Sequence, residues 1–303
     1  MKFSVVIPTF DRPGDLLRCL AALARIDYPK HEFEVIAVDD GGSADLDTLV
    51  APFGTELNLR LLRQPNQGPA AARNFGASQA AGSFLAFIDD DCEPQAGWLL
   101  ALDAAVAGAP QGLIGGHVVN GLPRNPYSAA SQEIVDFLQS HFNRDPQHGR
   151  FFPSNNIVVA ARPFREIGGF DAAFRRSASE DRDFCDRWLR RGWHLVSAAE
   201  AVVVHNRAMS FRTFCKQHFL YGRGAFRYAE ARRKRNGGPV AFEGWRFHLG
   251  MVTAPLRRSI TPSAVYRSFL ILVSQFAVVI GYFREKRTQV QECISTSYNL
   301  ARK

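Results

Sequence analysis

Five apolar residues, Phe84-Leu85-Ala86-Phe87-Ile88, run straight into three carboxylates, Asp89-Asp90-Asp91, between Gly82 and Pro94. A short, uniformly apolar run bounded by breakers reads as a strand buried on both faces, the kind found inside a parallel sheet. In open α/β sheets, ligands bind just beyond the carboxyl ends of the strands. The acids therefore stand at a ligand crevice, where adjacent like charges need a counter-ion. Oxygen donors of this type suit Mg²⁺ or Mn²⁺ bound together with a phosphate-bearing ligand. A solvated acidic turn is the alternative, and this stretch alone does not choose between the two.

The flanking sequence alternates strand and helix patterns. Strands are expected at Phe3–Ile7, Glu34–Val38 and Leu57–Leu62, and helices at Pro13–Arg25, Ala44–Val50 and Pro69–Ala80. Repeated βα alternation with short turns specifies an α/β fold with a doubly wound, mostly parallel sheet. The second half is less regular. Strands are expected at Leu113–Val119, Ile157–Ala160 and Val202–Val204, and the Pro-, Asn- and Gly-rich stretch from Asn120 to Pro153 reads as irregular. Asp181–Arg191 reads as a helix stopped by Gly192, and Phe211–Arg235 as a long basic helix. Asn236-Gly237-Gly238-Pro239 is the clearest linker signal.

The chain has 303 residues, enough for one large domain or two small ones. Five scattered cysteines without metal-type spacing favour a reducing, cytoplasmic setting over a disulfide scaffold. The start, Met1 to Pro8, is a strand pattern and lacks the features of a signal peptide. The net charge of +8 is concentrated between Arg207 and Arg258, where twelve basic residues face Glu230 and Glu243. A phosphorylated substrate or an anionic membrane surface fits such a block; nucleic acid does not, because no reading module accompanies it. The following apolar run, Phe269–Phe283, is short of the roughly 18 residues of a spanning helix. With Arg267 before it and Arg284, Lys286 and Arg287 after it, it suits a core helix or a helix peripheral on the inner face of a membrane, with a true span as the third alternative.

The turn after the first strand, Pro8 to Gly14, lacks the G-x-G-x-x-G of a nicotinamide-binding fold, which argues against hydride transfer. Instead Asp39-Asp40-Gly41-Gly42-Ser43 closes the second strand. Gln67-Gly68-Pro69 opens a small-residue helix carrying Arg73. Later come Asn155-Asn156, the turn Ile167-Gly168-Gly169-Phe170-Asp171, and Glu180-Asp181-Arg182-Asp183. In order and spacing these segments, with Ser4 to Phe10 and Asp89 to Asp91, resemble the inverting family-two glycosyltransferases, which have the A-type glycosyltransferase fold. The resemblance extends to about Tyr221, some two-thirds of the chain.

The resemblance implies a nucleotide-binding, Rossmann-like half over residues 1–120 and a mixed acceptor half over 121–206. A basic helix over 207–235 completes a catalytic domain of 1–235, and a helical segment follows over 236–303. It implies a nucleotide-sugar donor, a carbohydrate or lipid-linked acceptor, and Mn²⁺ or Mg²⁺ as cofactor. Pro8 and Thr9, with Asp40, fall where the family contacts the nucleotide base, and Arg73 lies in the segment that holds the nucleotide. Asp89 faces the ribose, Asp90 belongs to the same nucleotide-contacting set, and Asp91 ligates the divalent ion. His205 matches a histidine that in some members is a further ligand; a hydrogen-bonded structural histidine is the alternative. Asp181 matches the general base, with Glu180 the less favoured candidate and helix-start stabilisation the plain alternative. Glu180 and Asp183 are expected to raise the pKa of Asp181 by like-charge repulsion. A nucleotidyltransferase, or an inactive sugar-nucleotide-binding protein, are the competing functions. The first would want a basic, glycine-rich loop after the first strand, and Arg12 alone is thin support for one.

Overall fold

The computed structural model describes residues 1–174, 179–235, 238, 240 and 243–300, the last nine as backbone only. The described residues form two compact units, one of residues 1–123, 138–174 and 181–207, the other of 124–137, 179–180 and 208–300.

The first unit is built on a single sheet. Its early elements are β1 (Phe3–Thr9), α1 (Pro13–Ala24), β2 (Phe33–Asp39), α2 (Leu46–Val50), β3 (Leu59–Arg63), α3 (Pro69–Ser78) and β4 (Phe84–Ile88). β1 pairs in parallel with both β2 and β4, and β2 with β3. All seven residues of β1 and of β2 are buried, as a strand covered on both faces requires. Leu16, Leu20 and Leu23 of α1 pack into the core on one side, and Ala70 and Ala77 of α3 pack on the other.

The later elements are β5 (Cys92–Pro94), α4 (Trp98–Gly108), β6 (Leu113–Asn120), β7 (Asn156–Ala160), α6 (Ala161–Glu166), α7 (Glu180–Arg190) and β8 (Leu195–His205); α5 (Pro126–Phe142), which falls between β6 and β7 in the chain, belongs to the second unit up to residue 137. The sheet order is β3-β2-β1-β4-β7-β6-β8-β5. β7 runs antiparallel to β4 and β6, β6 and β8 are parallel, and β5 is antiparallel to β8. A parallel half thus continues into a mixed half. Asn156 ties the seam: its side-chain oxygen accepts from the Trp98 indole at 2.8 Å, and its amide donates to His117 and Ala201 carbonyls.

α5 lies within the stretch expected to be irregular. Asn125 explains it: its side-chain oxygen accepts from the backbone of Tyr127 and Ser128, both at 3.0 Å, and Pro126 is the first helical residue. The Asn-Pro pair is here a cap and a first turn, not a breaker.

In the second unit, α8 (Phe211–Lys234), α9 (Trp245–Arg258) and α10 (Pro262–Leu300) follow. A Cβ on Gly222 of α8 would stand 1.9 Å from the Val278 carbonyl oxygen, and one on Gly281 of α10 would stand 2.0 Å from that of Phe219. Only glycine permits so close a crossing. Beside it, buried Glu285 accepts from Arg223 Nε and Arg227 Nε, each at 2.5 Å. α8 therefore groups with α10 in the second unit, which also takes in 124–137 and 179–180. Of the linker signal, only Gly238 is among the described residues. α10 is far longer than its 15-residue apolar run; Pro262–Gln291 is long and apolar enough to cross a bilayer by length and composition, and a third of its most apolar window is buried.

Candidate active site

The site lies at the carboxyl ends of β1, β2 and β4. The backbone N–H of Asp40 donates to the Thr9 carbonyl at 2.9 Å, joining the ends of β1 and β2. The Asp40 carboxylate is buried and organises the loops around it. Oδ1 accepts from Gln64 Nε2 at 2.7 Å and from the Gln67 backbone at 2.8 Å; Oδ2 accepts from the Gly68 backbone at 2.8 Å. Gly41, at φ 79°, makes the turn that follows, where a Cβ would meet the Asn66 amide at 2.8 Å. Pro8 is buried within β1, paired with Val38.

Each acid of the triplet has a basic partner. Arg73, itself 3 % exposed, reaches Asp89 Oδ1 with Nη2 at 2.6 Å. Asp90 is fully buried; Thr9 donates its hydroxyl to Oδ2 at 2.7 Å, and Arg12 Nη2 lies 2.6 Å from Oδ1. Burial, with repulsion from Asp91 and Asp89, pushes Asp90 up to about 7 against the opposing pull of Arg12 and Thr9. Asp91 faces Arg12 Nη1 at 2.7 Å, His205 Nε2 at 3.3 Å and Arg207 Nη1 at 3.5 Å. Burial works to raise its pKa, but the hydrogen bond and charge of His205, with Arg12 and Arg207, hold it well below the usual carboxylate range.

Sheet register brings Asp91 and His205 together. Cys92 of β5 stands opposite His205 of β8, and the Asn206 backbone donates to the Asp91 carbonyl at 2.8 Å. Ligand atoms of Asp91, Cys92 and His205 lie within 4.8 Å of one another. Two ligands at right angles around an octahedral ion with bonds of about 2.1 Å lie about 3.0 Å apart, so the 3.3 Å between Asp91 Oδ1 and His205 Nε2 fits both on one divalent ion. Burial pushes the Cys92 thiol well above its ordinary pKa, and a neutral thiol is a poor donor to a hard ion.

Asp181 is the second residue of α7, and its position is set from two sides. The turn at Phe170 is pinned to α3 by Asn74, whose amide donates to the Phe170 carbonyl at 2.7 Å and accepts from its N–H at 2.9 Å. Arg187 of α7 holds the same turn, donating to the carbonyls of Ile167 and Gly169, and bonds Asp183 Oδ2 at 2.8 Å. The Arg73 guanidinium lies 5.5 Å from the Phe170 ring centre. Burial raises the pKa of Asp181, and the Asp89 charge adds to this; the Arg182 N–H and the Arg73 charge oppose it without cancelling it. The direction matches the expectation but the causes differ: burial comes first, the like charge that adds to it is that of Asp89, and Asp183 is engaged by Arg187. Ser179, just before the helix, has φ 94°, and Glu180 is buried. Phe184 and Trp188 are core, as their four-residue spacing suggests.

The sequence-derived residues Thr9, Asp40, Arg73, Asp89, Asp90, Asp91, Asp181 and His205 all belong to the first unit. Two participants were not singled out for this site, Arg12 and Arg207. The signal was indirect: three adjacent acids need counter-charges, and a lone arginine after the first strand is one source.

A strand-end acid cluster on a parallel sheet, with a basic fork on its first acid and a carboxylate of raised pKa, is the kind of framework found in group-transfer enzymes. The chain belongs to glycosyl transferase family 2, whose model matches residues 4–182. It is 28% identical over 223 residues to the glycosyltransferase AglE of Haloferax volcanii, covering 73% of this chain and 72% of that protein. It is 29% identical over 229 residues to the pre-mycofactocin glycosyltransferase of Mycobacterium tuberculosis, covering 73% of this chain and 46% of that one. The fold resembles the mannosyltransferase PcManGT of Pyrobaculum calidifontis, solved with GDP-Man and Mn²⁺, at a TM-score of 0.67 and 16% identity over 94% of this chain and 86% of that one. It also resembles TarS 1–349 of Staphylococcus aureus, solved with UDP-GlcNAc, at a TM-score of 0.56 and 16% identity over 96% and 92%. The expected A-type glycosyltransferase fold is thus the observed one.

Proposed function

We propose that this glycosyltransferase moves a sugar from a nucleoside-diphosphate donor to a hydroxyl of a glycan or lipid-linked acceptor, with inversion at the anomeric carbon. The observation that carries the reading is the grouping of Arg73, Asp89 and Asp181: a basic fork and its acid, with an aspartate of raised pKa that senses both charges. Asp181 accepts the acceptor's hydroxyl proton as the new C–O bond forms. The bond from the anomeric carbon to the diphosphate oxygen breaks on the opposite face, and its electron pair leaves with the diphosphate. Pro8, Thr9 and Asp40 line the base end, Asp89 the ribose side with Asp90 buried behind it, and Arg73 orients the nucleotide. A divalent ion held by Asp91 and His205 would neutralise the departing diphosphate as a Lewis acid. The carboxylate–imidazole pair favours Mn²⁺ over Mg²⁺. The nucleotide sugars bound by PcManGT and TarS support this donor class.

The helical unit supports a place on the inner face of a membrane. Val265, Phe269, Leu272, Phe276, Val279 and Phe283 are exposed along one face of α10. Arg246, Arg257, Arg258, Arg284, Lys286 and Arg287 border the apolar part of α9 and α10, so an anionic lipid surface complements both apolarity and charge. Phe276→Glu should reduce flotation with phosphatidylglycerol vesicles; unchanged flotation would count against this surface.

Melting temperatures against a panel of nucleotide sugars, with and without Mn²⁺, test the main reading. One donor should raise the melting temperature, more so with Mn²⁺, through ligand linkage. No shift with any nucleotide sugar would overturn the reading, and a product of retained anomeric configuration would overturn inversion.

A further inference from the structure

Charges buried at the rim of this sheet must be balanced whether or not a cation is bound. Asp90 and Asp91 are adjacent, and their side chains are 0% and 2% exposed. Two such carboxylates without a counter-charge would be strongly unfavourable. Arg12 meets both at once, with Nη2 2.6 Å from Asp90 Oδ1 and Nη1 2.7 Å from Asp91 Oδ2. A lysine, with one point of charge, could not span the pair in this way. Arg12 uses only the Oδ2 edge of Asp91; Oδ1 is turned to His205 Nε2 at 3.3 Å. Arg207, 3.5 Å from Asp91 and more exposed, is a looser partner.

The loop that carries Arg12 is itself fixed. Asp11 adopts φ 50°, and its Oδ1 accepts from the Ser43 N–H at 2.7 Å and hydroxyl at 3.0 Å. Arg12 is thus held over the triplet by a clip to the loop after β2. Three arginines, Arg12, Arg73 and Arg207, face three aspartates. A divalent ion and a diphosphate could then enter as a pair that adds little net charge.

We infer that Arg12 is the resident counter-cation of the acidic triplet. It is a positioning residue that neutralises and orients Asp90 and Asp91 when no divalent ion is bound, and it leaves Asp91 Oδ1 open toward His205 for that ion. The second half rests on the cation reading above; the first does not.

The test compares the melting temperatures of wild type, Arg12→Met, Arg12→Lys, Asp90→Asn and the Arg12→Met/Asp90→Asn double variant, in EDTA and in Mn²⁺. In EDTA, Arg12→Met should melt about 5–10 °C below wild type, with Arg12→Lys between them. The double variant should melt above Arg12→Met, because the neutral amide no longer needs the guanidinium. Mn²⁺ should recover part of the loss in Arg12→Met while moving wild type less. An Arg12→Met protein that melts like wild type in EDTA, or losses that simply add in the double variant, would overturn the inference. Coupling in EDTA with no Mn²⁺ shift in any variant supports the Arg12 role and counts against the cation site at Asp91 and His205.

Discussion

Two acidic clusters stand in the chain, one at the end of β4 and one at the start of α7, and the fold treats Asp91 of the first and Asp181 of the second in opposite ways, with Asp90, raised to about 7, between them. Asp89, Asp90 and Asp91 are each met by an arginine, and Asp91 is held firmly in its charged form. At α7 the arginine is spent on Asp183, and Asp181 is left partly buried with a raised affinity for protons. The difference teaches that acidity alone says little about role. An acid that must hold a cation needs a low pKa and fixed geometry, whereas one that must take a proton needs burial and few direct partners.

The largest effect that would sharpen this contrast is on turnover. Asp181→Asn should lower kcat by about 10²–10⁴-fold while leaving donor affinity near wild type, measured by a transfer assay beside calorimetry. The same variant should melt at or above the wild-type temperature near neutral pH. Its folded-state pKa is raised, so the charged form is a liability above that pKa, and the amide removes it. Normal turnover in Asp181→Asn would place the base elsewhere.

pH offers the next break point. The base proposed above, Asp181, would have to be deprotonated, so kcat should fall as pH drops through its raised pKa. The acid limb should therefore lie above the ordinary aspartate value of about 3.9. Asn74→Ala should have a smaller effect, on positioning. It frees the Phe170 turn from α3, and kcat should fall about tenfold with KM little changed. Smallest is Thr9→Val, which removes one hydrogen bond to Asp90 and should cost about 1 kcal/mol of stability by denaturant unfolding.

The parallel half of the fold was legible because its strands are short, uniformly apolar and closed by turn residues; β1, β2 and β4 fall within two residues of their expected bounds. The mixed half was harder for local reasons. α5 hides behind an Asn-Pro pair that doubles as cap and first turn. β8 spans Leu195–His205, but only its last apolar residues carry a strand signature, and its pairing with β6 shifts register at Gly116 and His117. α10 extends past its apolar run, and just beyond that run Glu285 is held by Arg223 and Arg227 of α8, a contact that a hydropathy pattern does not display. At the site, the acids announced themselves by position at strand ends. Arg12 did not, since its partner Asp91 is 79 residues away and only the fold closes that distance.

The division of labour between the two acidic clusters is tested most directly by calorimetric titration of the nucleoside diphosphate, with and without Mn²⁺, into Asp91→Asn and Asp181→Asn. The gain in affinity given by Mn²⁺ should disappear in Asp91→Asn and persist in Asp181→Asn. Persistence in Asp91→Asn, or loss in both variants alike, would contradict the account.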